Sequence, residues 1–183
     1  MEEKHFDPFA DRQARLLRNA LAGSLVAALR KGNAEPFRQK GRELLSRTTD
    51  PVHRAYLVDR LQRYVEAFGV IEGQRLVENF AQALILWNFR LFYEVHELLE
   101  HLWRQSSGPL RGALQAMIRA AGVYVHLEAG NRRAARSMAA KAAAGLCANG
   151  EALPPFVGKE QLLTALADLD LAPPVLRQEG TGS

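Results

Sequence analysis

Apolar residues recur every three or four positions along most of the chain, and stretches that alternate apolar with polar residues are almost absent. That spacing is the period of a helix with one buried face. It predicts an all-α fold, a compact bundle of antiparallel helical hairpins with about six or seven helices. A first helix is predicted from about Asp11 to Lys31 and a second from about Glu35 to Arg47. Between them stands "KGN", where Gly32 suits the left-handed residue that closes a helix. Asp50 and Pro51 are a capping residue and a first-turn proline, so a third helix starts there and is expected to end near Phe68-Gly69. A long helix is predicted from about Gln74 to Gln105, until "SSGPLRG" interrupts it. Further helices are expected from Pro109 to about Ala129, from Asn131 to about Cys147 and from Lys159 to Leu169. The end, "LAPPVLRQEGTGS", reads as extended and finally disordered. The corresponding domain reading is a helical extension over 1–75 packed on a core domain over 76–177, with 178–183 as a tail.

Composition narrows the class. The chain of 183 residues is 48% hydrophobic and 24% charged, the profile of a globular protein long enough for its own core. A net charge of +4, with basic and acidic residues interspersed, disfavours nucleic acid as a partner. The longest apolar run, "ALILW" at 83–87, is far shorter than a membrane span, and "MEEKHFDPF" is acidic where a leader would be basic. The single cysteine, Cys147 in "AAAGLCANG", reads as a small core residue in a reducing compartment, and the expected location is cytoplasmic.

The stretch "YEVHELLEHLW", residues 93–103, concentrates the candidate chemistry. With His96 at zero and about 100° per residue, Phe92, Val95, Leu98, Leu99, Leu102 and Trp103 fill an apolar arc of roughly 200° to 340°. Glu100 falls beside His96 at about 40°, one turn on, so imidazole and carboxylate reach one ion or one proton. Glu97, His101 and Glu94 lie between about 100° and 160°, nearer the solvent side. The string is neither H-E-x-x-H nor the E-x-x-H of di-iron bundles. The plain alternative is a solvated surface pair for Glu97 and His101 and a structural hydrogen-bond pair for His96 and Glu100.

The following helix, "GALQAMIRAAGVYVHLEAG", is apolar or small nearly all round, with Gln115, Arg119 and His126 on one narrow stripe. The stripe is either a solvent seam or the face turned to His96 and Glu100. The short connection favours antiparallel neighbours, and burying either Glu100 or Arg119 would require the other as its partner.

"WNFRLFYEVHELLEHLW", "GPLRGALQAMIRAAGVYVHLEAGNRRAARSM", "PPFVG" and the closing "PPVL" together resemble the family called domain of unknown function 309, over about residues 78–177. The resemblance implies a small helical protein with a His-Glu-x-x-Glu-x-x-Trp motif and singles out Asn88, His96, Glu97, Glu100, Trp103, Gln115, His126, Gly130 and Asn131. It implies no activity. Arg90 stands where the family often has a glycine, so a continuous helix is expected there.

Three functions follow from these residues. His96, Glu100 and His126 are candidate ligands of a divalent metal such as zinc. Glu97, Gln115, Arg119 and His126 are candidate contacts to a small polar ligand, with His96 and Glu100 the candidate catalytic pair and His96 the proton carrier. The alternative is a helical-hairpin module for a protein partner, a second copy included, with Arg132, Arg133 and Arg136 offered at a helix start. In the third reading the cluster is only a structural hydrogen-bond network.

Overall fold

A computed structural model describes residues 5–179. Among them are eight α-helices: α1 Arg12–Lys31, α2 Glu35–Arg47, α3 Pro51–Gly73, α4 Asn79–Asn88, α5 Phe92–Arg104, α6 Gly108–Glu128, α7 Arg132–Asn149 and α8 Lys159–Ala167. A single 3-10 turn, Gly150–Ala152, follows α7, and two-residue strands β1 Phe156–Val157 and β2 Arg177–Gln178 pair antiparallel. The all-α expectation holds, with one helix more than the upper count. The chain divides into two compact units, Met1–Arg75 and Leu76–Ser183.

The first unit is a three-helix arrangement of α1, α2 and α3. Asp11 caps α1 by accepting from the Gln13 N–H, and Asp50 caps α3 by accepting from Val52 and His53. Phe37 of α2 meets Tyr64 and Phe68 of α3 edge-on, both at 5.7 Å between ring centres. Leu17, Leu21, Leu25 and Leu57 complete the buried core. α3 does not stop at Phe68-Gly69 but continues to Gly73. Phe68 and Ile71 are both buried, so the apolar face runs on and its packing outweighs the unfavourable helix propensity of Gly69.

The second unit holds α4 to α8. The predicted long helix is two, because α4 ends at Asn88 and Arg90 turns left-handed with φ 56°. The Arg90 N–H reaches the Trp87 carbonyl at 2.8 Å and the Leu91 N–H reaches Leu86 at 3.0 Å, the paired bonds of a Schellman closure. Gly130 closes α6 in the same way, with bonds to Leu127 and His126. Asn131 then opens α7 by accepting from the Ala134 N–H. The Gly-Asn pairs of the sequence are thus one device used twice: at the first, Gly32 closes α1 and Asn33 accepts from the Glu35 N–H.

α5 runs antiparallel to α6. Phe92 at the start of α5 stacks on Tyr124 near the end of α6, at 4.8 Å, while Arg111 covers the Trp103 ring at 3.8 Å near the connection. α6 and α7 approach through small residues. A Cβ on Gly145 would stand 2.8 Å from that of Ala116, and one on Gly122 would stand 2.5 Å from the Met138 Sδ. Cys147 falls on the outer side of α7 and is exposed, not a core residue, since Ala139, Ala142 and Leu146 take the inner side.

The extended segment after α8 is fastened to α4. The Asn88 amide donates to the Leu176 carbonyl at 2.7 Å and accepts from the Leu176 N–H at 2.9 Å, and the Trp87 indole N–H donates to the Pro174 carbonyl. Gln178, expected in the tail, is therefore in a strand paired with Phe156. Residues 180–183, the rest of the predicted tail, lie outside the described residues. Among the described residues no helix is long and apolar enough to cross a membrane.

Candidate functional site

Among the described helices α5 separates apolar from polar residues most sharply, and its first turn follows directly from the Arg90 closure. Phe92, Val95, Leu98 and Leu99 are buried as the wheel predicts, which leaves His96, Glu97 and Glu100 on the rim. One ligand atom from each of these three lies within 4.8 Å of the other two. Their side chains are 34%, 33% and 32% exposed, so all three are equally half-open to solvent. Glu97, expected on the outer side with His101, reaches the cluster because its long side chain spans the roughly 100° that separates it from His96. His96 Nδ1 stands 3.4 Å from Glu97 Oε1, an ion-pair distance without hydrogen-bond geometry. The Tyr93 ring lies nearly parallel to the imidazole, 5.8 Å away.

Glu100 is not paired with Arg119. Its Oε1 accepts from Arg104 at 2.8 Å, one turn further along the same helix. Among the described residues Arg119 makes neither hydrogen bond nor ion pair. On α6, Ala116 and Gly122 meet α7. Among the described residues the group that can share one ion is His96, Glu97 and Glu100, so Glu97 stands where His126 was expected.

Other singled-out residues are accounted for by the scaffold. Asn88 holds the Leu176 backbone, Gly130 and Asn131 make the α6–α7 turn, and Trp103 carries Arg111, whose guanidinium also donates to the Trp103 and Ser106 carbonyls. Arg132 is engaged by Asp170 of the same chain, which leaves Arg133 and Arg136 exposed.

Two groups escaped the sequence reading. Glu94 is fully buried, although its position on the wheel suggested solvent. At about 160° it adjoins Leu98 at about 200°, and a flank residue is buried whenever a neighbouring element covers that edge. Tyr124 is 4% exposed, its hydroxyl makes no hydrogen bond among the described residues, and burial raises its pKa to about 12. Its signal was available: a tyrosine among small and apolar residues on every side has few polar neighbours to meet.

No curated protein and no solved structure matches the chain. A family model described as Domain of unknown function (DUF309) matches residues 80–138, from the first turn of α4 into α7. This is narrower than the 78–177 of the sequence resemblance, but it contains α5 and the whole of α6. The matched residues 80–138 carry the His96, Glu97 and Glu100 cluster.

Proposed function

We propose that the second unit binds a divalent metal ion, zinc or another imidazole-tolerant ion, through His96, Glu97 and Glu100. The observation that supports this is the convergence of one imidazole nitrogen and two carboxylate oxygens within 4.8 Å of each other. Ligands about 2.0 to 2.2 Å from zinc stand roughly 3.5 Å apart, so modest side-chain rotation closes the set. Half exposure lets an ion enter, and rotation of side chains on a rigid helix costs little. Nitrogen with carboxylate oxygen suits zinc, manganese or nickel better than magnesium or calcium, which prefer oxygen alone. Three protein ligands leave a position for a small polar ligand.

Calorimetric titration of the chelator-treated protein with zinc, manganese and nickel tests this. One ion per chain is expected, with affinity reduced at least about tenfold in His96→Ala and Glu97→Gln, since each loses a ligand. A melting temperature that rises with zinc in the native chain but not in His96→Ala is the linked result. Negligible heat for native protein and variant alike would remove the reading.

A further inference from the structure

We propose that Arg104 is the site's own cation, holding Glu100 until a divalent ion displaces it and thereby setting the affinity of the site. This rests on the metal reading of His96, Glu97 and Glu100. Two carboxylates one turn apart on a half-open patch repel each other, and a nearby positive charge relieves that repulsion. Arg104 supplies it from four residues on, with the acid N-terminal to the base, the favourable order on a helix. It is also the last residue of α5, where a cation faces the negative end of the helix.

Arg104 is built to let go. It is 67% exposed, and its bond to Glu100 Oε1 is its only hydrogen bond among the described residues. Arg111, the other arginine at this end of α5, is different: it lies on the Trp103 ring and donates to two carbonyls, so it cannot take the same part. An entering dication competes with Arg104 for the Glu100 carboxylate. The guanidinium then returns to solvent with its charge intact, and no covalent change occurs.

The test is calorimetric titration of zinc chloride into native protein and Arg104→Met, at low and at high sodium chloride, with circular dichroism to verify folding. Zinc is expected to bind Arg104→Met about twofold to fivefold more tightly, the free-energy range of an exposed ion pair expressed as affinity. High salt screens the Arg104–Glu100 pair, so the gap between the two proteins is expected to narrow. Equal or weaker binding by Arg104→Met, with native protein binding zinc, would overturn the role of Arg104 and leave the metal site standing. Absence of binding by both would overturn the metal site and this proposal together.

Discussion

Each unit contains a histidine set against a carboxylate, and the two pairs are opposite in kind. In the first unit His53 Nε2 meets Asp11 Oδ2 at 2.8 Å across 42 residues of chain, and the imidazole is 8% exposed. The other Asp11 oxygen caps α1 through Gln13, the His53 backbone is capped by Asp50, and Phe6 packs edge-on against the ring. In the second unit His96 and Glu97 are chain neighbours on one helix, 3.4 Å apart and a third exposed. The first pair fastens α1 to α3, and its atoms are already engaged by the fold. The second joins neighbours on one helix, both already fixed by α5. A histidine–carboxylate pair is thus a pin where it joins distant segments in the interior. On the proposed metal reading, it is open to an incoming ion where it sits on the rim of a single helix.

The sharpest way to break that contrast is to remove the pin. His53→Ala deletes a buried ring and its bond to a carboxylate, at an expected cost of about 2 kcal/mol. Chemical denaturation should show the loss, while zinc titration of the same variant gives the native affinity. A variant as stable as the native chain would erase the distinction between the two pairs.

Tyr124 extends the comparison to groups that the fold encloses without engaging. Its ring lies against those of Trp87 and Phe92, at 5.3 and 4.8 Å between centres, and its hydroxyl is buried without a partner among the described residues. An unbonded buried hydroxyl costs free energy that its removal returns. Tyr124→Phe is therefore expected to gain roughly 1 kcal/mol in the midpoint of urea unfolding. A loss would mean that the hydroxyl holds an ordered water or ligand, and would move it to the functional side.

Helix after helix was legible because each buried face repeats with the helical period, and because Asp11, Asp50, Gly32 and Gly130 are residues whose chemistry marks helix ends. The α4–α5 break was not, since Arg90 occupies a position that glycine fills without strain. Arg90→Gly relieves that strain but loosens the unfolded chain, so a gain of about 0.5 kcal/mol is expected, read by the same denaturation. Of the site, His96 and Glu100 could be paired from spacing alone. The orientation of α6 could not. An antiparallel neighbour is implied by a short connection, but which face it presents depends on the fit of Ala116 to Gly145 and of Gly122 to Met138, which no periodicity encodes. His53 was invisible for a related reason: its partner is Asp11, two helices away.

If His96 joins no distant segments as His53 does, truncating it should barely affect folding. His96→Ala is expected to change stability by less than about 0.5 kcal/mol, as for an ordinary surface substitution, while removing the rise in melting temperature on zinc addition. A large loss of stability without zinc would return His96 to the structural class beside His53.

The smallest effect separates the pairs by pH. The Gln13 N–H lowers the Asp11 carboxyl most; burial opposes it, and the bond to the His53 ring adds to the lowering, so the carboxyl stands below its usual value of 3.8. A carboxyl lowered in the folded state favours folding fully above its unfolded value, and that contribution disappears as pH falls through the lowered one. The first unit should therefore lose stability on the acid side, below about pH 4. Asp11→Asn keeps an oxygen to cap α1 but no longer titrates, so its melting temperature should fall less steeply there than that of the native chain. The difference is small because Asp11 is largely solvated, yet its sign is fixed: a steeper acid limb in Asp11→Asn would mean that the carboxylate is not what links α1 to α3.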